Sequence, residues 1–218
     1  MRFSLLILAL VASLLAQSQS PFPTWFETHG RNSSPPYDEA IAWWKRIDAA
    51  SPLLQMREMG PTDAGFPLHV VLVSADRDFD PASLHRKGKT ILFVNNGIHT
   101  GEPDGIDASM LLVRDIVGGK YRLPANVVLA IIPVYNIGGA LNRNPYYRVD
   151  QNGPDEKGSR GNAQNLDLNR DFIKADSRNA LSFAKIYRWL DPEVFIDNHV
   201  SNGADYQHVM TLLSTQHN

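Results

Sequence analysis

Apolar residues recur at spacings of three and four across Tyr37–Ala50: Ile41, Trp44 and Ile47 fall on one face, with Ala40 and Trp43 beside them. That period predicts an amphipathic helix. Core packing is the expected use of its tryptophans, and a sugar-binding surface is the alternative. The Pro- and Ser-rich residues 21–36 cannot easily propagate helix or sheet and read as a lead-in. From Phe66 onward the pattern switches between short β-branched runs and helical periods. Residues 68–73 and 90–94 predict strands, separated by the turn at Arg86-Lys87-Gly88, and are read as candidate partners of each other. Residues 106–117 predict a helix that stops at Gly118-Gly119. Residues 126–134 predict a strand, continuously apolar once past Asn126, as a strand buried on both faces would be. Residues 180–190 predict a further helix and 193–196 a further short strand. Strands alternating with helices define an α/β sandwich around a mixed, mostly parallel sheet.

Composition narrows the function classes. The 218 residues, 43% of them hydrophobic, bury one good core, and a formal charge of −2 leaves no basic excess for nucleic acid. With no cysteine, disulfides, thiolate metal sites and thiol nucleophiles are excluded. Arg2 precedes an apolar run at residues 5–16 that exits through Ala16-Gln17-Ser18, which predicts a signal peptide over residues 1–18 and a secreted or periplasmic protein. The run is shorter than the roughly 20 residues a spanning helix needs, so no stable membrane insertion is expected after cleavage. Asn32-Ser33-Ser34 has the form of a glycosylation sequon, a signal of little weight at that length.

The candidate chemistry lies where the strands end, because open α/β sheets gather ligands there. His99 and Glu102 follow strand 90–94, three apart on a turn leading into a helix, and such a pair turns both side chains to one side. Zinc accepts an imidazole nitrogen and a carboxylate oxygen at about 2.0–2.2 Å each. Glu102 also reads as a carboxylate complementing a helix N-terminus. His199 follows the strand that ends at Ile196, and two histidines with one glutamate leave an open fourth position on zinc. A solvated loop histidine is the alternative. Asp205 and His208 are fallback ligands, and His29, His69, His85 and His217 are expected at the surface. In residues 165–172, alternation places Asp167 and Asn169 on one side of an extended segment, opposite Leu166, Leu168 and Arg170. Arg170 offers a planar fork for a carboxylate and Asn169 an amide donor, together a clamp for a terminal carboxylate; a surface salt bridge is the other reading of Arg170.

In this order, His99-Thr100-Gly101-Glu102, Asn169-Arg170 and His199 resemble the zinc carboxypeptidase family that includes carboxypeptidase A, over about residues 66–210. The resemblance implies a three-layer α/β/α sandwich and one zinc ion held by His99, Glu102 and His199. It implies that Asn169 and Arg170 bind the C-terminal carboxylate of a peptide substrate, and that Asp167 orients the first zinc histidine. An arginine between the motifs stabilises the oxyanion in that family; Arg148 is the choice and Arg143 the runner-up. The expected activity is hydrolysis of the last peptide bond.

Asp171 stands where many family members have asparagine, and Val200 follows His199 where a small polar residue is common, so substrate preference stays open. The family's general base, a glutamate on a later strand, has no match before Asn218. The expectation is therefore a signal peptide at 1–18, a lead-in with its helix at 19–60, and a partial catalytic domain at 61–218. Two alternatives remain: a zinc deacylase of N-acyl amino acids, sharing the His-x-x-Glu and later His, and a non-catalytic peptide- or cell-wall-binding relative.

Overall fold

The computed structural model describes residues 21–201 together with His208 and Met210. The signal-peptide reading of residues 1–18, and Asp205 and His217, lie outside the described residues. Among the described residues no helix is long and apolar enough to cross a membrane.

Strands apolar on both faces organise the molecule. In β2 (Pro67–Ser74), Leu68, Val70 and Leu72 point to one face of the sheet and Val71 and Val73 to the other. The same alternation runs through β4 (Val127–Ile132), with Val128, Ala130 and Ile132 against Leu129 and Ile131. Such strands need a layer on each side. One layer consists of α2 (Tyr37–Ala50) and α4 (Asp104–Val117), whose Trp43, Trp44, Ile47, Met110 and Val113 pack on the first face. The opposite layer is α3 (Pro81–Arg86) and α6 (Arg178–Leu190), through Leu84, Phe183, Ile186 and Leu190. A four-residue α1 (Trp25–Thr28), closed by a Thr24–Glu27 capping box, precedes them, and a short α5 (Ile137–Leu141) follows β4. The three-layer α/β/α sandwich expected from the sequence is present. Trp43 and Trp44 meet edge to face at 5.1 Å in the core, as the packing reading required.

The sheet runs in the order β1-β2-β4-β3-β7, with β1 at Leu54–Pro61, β3 at Thr90–Asn95 and β7 at Val194–Asp197. β3 pairs in parallel with β4 and with β7, whereas β2 is antiparallel to β1 and β4, so only β2 runs against the others. Strands β2 and β3, read as candidate partners, are not neighbours. β4 lies between them, because its doubly apolar run earns the central position. Strand β1 has no sustained period-two signal in the sequence: the alternation of Leu54 and Met56 breaks at Glu58, and only Leu54 is fully buried, as suits an edge strand. It joins β2 through a turn in which Thr62 N–H donates to Phe66 O at 3.1 Å. His69, expected at the surface, is buried in β2 opposite Glu58, whereas His29 is exposed and His85 half-buried. Position 69 points inward with Val71 and Val73, and strand register outranks the polarity of one side chain.

Asp107 on α4 is 9% exposed, and one of its carboxylate oxygens has no hydrogen-bond partner. Burial pushes its carboxyl up to about 7, assisted by Asp104 and opposed by the Ser34 hydrogen bond and by Arg143. A carboxyl whose folded value is raised favours the folded state fully below its unfolded value near 4, and that contribution is lost as pH rises through 7. Asp107→Asn should therefore raise stability over wild type by about 1–3 kcal/mol at pH 8, with the gap closing toward pH 4. Thermal midpoints of both proteins across that range provide the check, and a gap independent of pH would exonerate Asp107.

Candidate metal centre

The first two ligand candidates come from the chain leaving β3. Gly97 takes φ +67° so that the chain can turn, and the loop is stitched to the end of β4 by Tyr135 N–H to Asn96 O (2.8 Å) and Asn136 N–H to Gly97 O (3.0 Å). A tight turn, Glu102 N–H to His99 O at 3.0 Å, then brings both side chains to one side, with His99 Nδ1 3.1 Å from Glu102 Oε1. The third candidate comes from β7. Register pairs Asn95 with Asp197, so the residues that follow are carried alongside the β3 loop; Asn198 donates N–H to Asn95 O and Nδ2–H to Asn96 Oδ1. His199 Nδ1 thereby lies 2.9 Å from Glu102 Oε2. One ligand atom each of His99, Glu102 and His199 falls within 4.8 Å of the others.

The donor set fits a zinc ion. His99 Nε2 faces Asp167 Oδ1 at 3.1 Å, and His199 Nε2 faces Asp197 Oδ2 at 3.1 Å. Each imidazole thus has a carboxylate to take its Nε2 proton, which assigns the lone pair to Nδ1. Two neutral imidazoles held this way would both aim Nδ1 lone pairs at one carboxylate, so the arrangement asks for a cation among them, either a metal ion or a proton on Nδ1. Burial pushes the Glu102 carboxyl up, but hydrogen bonds from His199, His99 and the Val200 N–H outweigh it and hold the group ionised, well below the usual carboxylate range. His199 is pushed up to about 9 by its hydrogen bonds to Asp197 and Glu102. Without a metal, the cluster compensates its buried anion with a proton on imidazole.

The two arginines considered for oxyanion stabilisation are placed differently. Arg148, with a side chain 10% exposed, donates from Nη1 to Glu102 Oε1 at 2.7 Å and lines a cavity of about 250 Å³ beside the cluster. Arg143 donates to the carbonyls of Ser34 and Pro35 and pairs with Glu156, tying the lead-in to the ribbon of β5 (Arg143–Asn144) and β6 (Lys157–Gly158); it does not line that cavity. Arg160 was not singled out in the sequence. It donates to Asp167 Oδ2 at 2.9 Å, its Nη1 stands 3.4 Å from His99 Nδ1, and its side chain is 46% exposed in the same cavity wall.

Residues 168–170 form a 3₁₀ turn rather than the expected extended segment. The Asp167 carboxylate accepts from Asn169 N–H at 3.0 Å and so caps its own turn, a local bond that competes successfully with extended backbone. One carboxylate thus serves His99, Arg160 and the Asn169-Arg170 turn. Asn169 is half-buried and Arg170 exposed, with one N–H on the Asn169 carbonyl, and neither lines the cavity. Asp171 is buried and accepts from the backbone of Asp176 and Ser177 and from the Ser177 hydroxyl, so its carboxylate shapes the approach to α6. His208 is exposed and outside the cluster.

An α/β/α sandwich that gathers two histidines and a glutamate at the carboxyl ends of adjacent parallel strands has the donor set of a mononuclear metal site with an open position. The sequence model of the zinc carboxypeptidase family matches residues 40–204, and the chain belongs to that family. Among solved structures, it is similar to a metallo-carboxypeptidase from Burkholderia cenocepacia (TM-score 0.61, 19% identity, 81% of this chain and 43% of that one). It is also similar to carboxypeptidase A from Helicoverpa armigera (TM-score 0.59, 16% identity, 76% and 45%). A third is a Pseudomonas aeruginosa metallo-carboxypeptidase in complex with (2-guanidinoethylmercapto)succinic acid (TM-score 0.59, 17% identity, 80% and 41%). At these identities the likeness is one of fold, and the chain spans less than half the length of each. No curated protein matches the chain in sequence.

Close packing beneath the site gives a test of its geometry. A Cβ at Gly105 would stand 2.6 Å from Asn198 Cβ and 2.6 Å from Asn96 Oδ1, the contact that joins the two ligand-bearing loops. Gly105→Ala should push those loops apart, cost about 1–3 kcal/mol of stability, and weaken metal binding. Wild-type melting and wild-type metal affinity in this variant would show that the contact does not set the spacing.

Proposed function

We propose that the chain carries the metal centre and part of the substrate-binding surface of a zinc metallocarboxypeptidase that hydrolyses the C-terminal peptide bond of peptides. The observation that carries the reading is the convergence of His99, Glu102 and His199 with a carboxylate on each imidazole's far nitrogen. His99, Glu102 and His199 would hold one zinc ion, which when bound supplies a Lewis acid to polarise the scissile carbonyl.

The chain's own groups do the rest. Arg148 and Arg160 line the cavity beside the cluster and offer N–H donors to the carbonyl oxygen as it gains charge. Arg148 is the stronger candidate in this reading, because its contact with Glu102 ties it to the ligand set. Asn169 and Arg170 hold the substrate's terminal carboxylate; Arg170 spends one N–H on its own turn and keeps the rest of its fork. Asp167 fixes His99 and the Asn169-Arg170 turn together, so ligand and clamp keep a constant spacing. The export signal read at residues 1–18 would place this activity in the periplasm or outside the cell.

Elemental mass spectrometry on the purified protein should find about one zinc per chain, lost in His199→Ala, with circular dichroism confirming that both are folded. A folded wild type without zinc would sink the reading. A substrate panel then separates the chemistries: hydrolysis confined to peptides with a free C-terminal carboxylate supports the carboxypeptidase. Hydrolysis confined to N-acyl amino acids would replace it with a deacylase.

Assayed in a protein that also supplies the family's general base, Arg148→Ala should lower kcat on the order of 10²–10³-fold while zinc content stays at the wild-type level, the split expected of an oxyanion donor. Unchanged kcat in this variant, with a loss in Arg160→Ala, would transfer the role to Arg160.

A further inference from the structure

The two ligand histidines are held in unlike surroundings. The His99 side chain is 2% exposed, so packing alone restricts its ring, whereas the His199 side chain is 33% exposed and borders solvent. An imidazole at that exposure keeps freedom about its side-chain torsions unless a hydrogen bond removes it. The bond present is to Asp197, whose Oδ2 lies 3.1 Å from His199 Nε2. Asp197 is itself fixed from the other side, because its Oδ1 accepts from Asn95 Nδ2 at 2.9 Å. Asn95 is completely buried. Asn95 and Asp197 are the last residues of β3 and β7 and are register partners in the parallel ladder, so the sheet sets their separation. The result is an unbroken relay from the sheet through Asn95 and Asp197 to the exposed ligand. Asp197 is not among the groups whose atoms converge on the metal position, so it acts through His199 rather than as a ligand.

We propose that Asp197, anchored by Asn95, is a positioning residue that holds the His199 imidazole in the orientation and tautomer required for metal ligation. It does for the exposed histidine what burial and Asp167 do for His99. The proposal rests on the metal-centre reading above, and it implies a division of labour: the β3 loop supplies a preformed half-site, and the end of β7 supplies a ligand whose readiness depends on one carboxylate.

The test compares wild type, Asp197→Ala, Asp197→Asn and Asn95→Ala. Zinc dissociation constants come from competition with a chromogenic chelator, cobalt(II) absorption spectra report ligand geometry, and thermal midpoints are taken on the metal-free proteins. Asp197→Ala should weaken zinc binding about 10–100-fold and alter the cobalt spectrum. Asp197→Asn should recover most of the affinity, since its amide oxygen still accepts from Nε2–H, and Asn95→Ala should fall between. Zinc affinity in Asp197→Ala within about twofold of wild type, with an unaltered cobalt spectrum, would overturn the proposal. So would equal losses in Asp197→Ala and Asp197→Asn that follow a drop in the metal-free midpoint, because that pattern marks a purely structural residue. Should Asp197→Ala not fold, Asn95→Ala decides by the same two readings. Failure of the wild type to bind zinc sinks the metal-centre reading and this inference with it, whereas zinc in the wild type with an undisturbed Asp197→Ala sinks this inference alone.

Discussion

The Glu102 carboxylate is buried and ionised, and the arrangement of the surrounding loops follows from the need to match that charge. Moving an unpaired carboxylate out of water costs at least several kcal/mol, more than a single neutral hydrogen bond returns. Four groups answer it: the imidazoles of His99 and His199, the Val200 N–H and the Arg148 guanidinium. They arrive from the turn after β3, the end of β7 and the excursion between β5 and β6. Segments about a hundred residues apart are thus pinned to one pair of oxygens, so the site stabilises the same loops that compose it.

Such a gathering is possible only because the sheet delivers the loops to one place. β3 and β7 run side by side in the same direction, and both end at the level of Asn95 and Asp197. The helix that follows β3 packs on one face of the sheet and the helix that precedes β7 packs on the other. The chain connections therefore part at this edge and leave a crevice, the general position of sites in open α/β sheets. The absence of a side chain at Gly105 then lets Asn96 and Asn198 close the floor.

Much of this could be read from the sequence, for identifiable reasons. Tyr37–Ala50 and the strand at β4 were legible because their burial is regular: a stripe in one case, both faces in the other. β1 was not, since an edge strand needs only one margin buried and Leu54–Pro61 spreads its apolar residues without a sustained period. Strand order was misjudged at β2 and β3 because pairing is decided by which strand tolerates the centre, a competition that neither segment reveals alone. His99, Glu102 and His199 were legible as a candidate set, since the His-x-x-Glu pair and the later strand-end histidine restrict residue type and order, and the structure brings their side chains together. Asp197 and Arg160 were not, because a carboxylate or guanidinium that orients another side chain carries no local signature; its meaning lies in a partner 2 residues away across a bend or 61 away along the chain. Asp167 was found, but its own turn was misread, because an aspartate that caps the backbone imitates the alternation of a strand.

Charge at the centre links these observations to function. Around the two imidazoles stand the carboxylates of Glu102, Asp167 and Asp197 and the guanidinium groups of Arg148 and Arg160. With both histidines neutral, as ligation requires, the cluster carries a formal excess of one negative charge, which favours a divalent cation over water. In the proposed reading the occupied centre then carries one net positive charge, and Arg170 nearby adds a second. A peptide ending in a free carboxylate is drawn toward such a field, whereas an amidated end is not. The second orienting carboxylate therefore has two effects that oppose each other. Asp197 strengthens the hold on the metal through His199, and it also reduces the positive field that the bound metal presents to substrate. In that reading a site with both Asp167 and Asp197 is tuned toward retention of its ion, and the pull on the substrate falls to Arg148 and Arg160 in the cavity wall and to Arg170 on the turn that Asp167 caps.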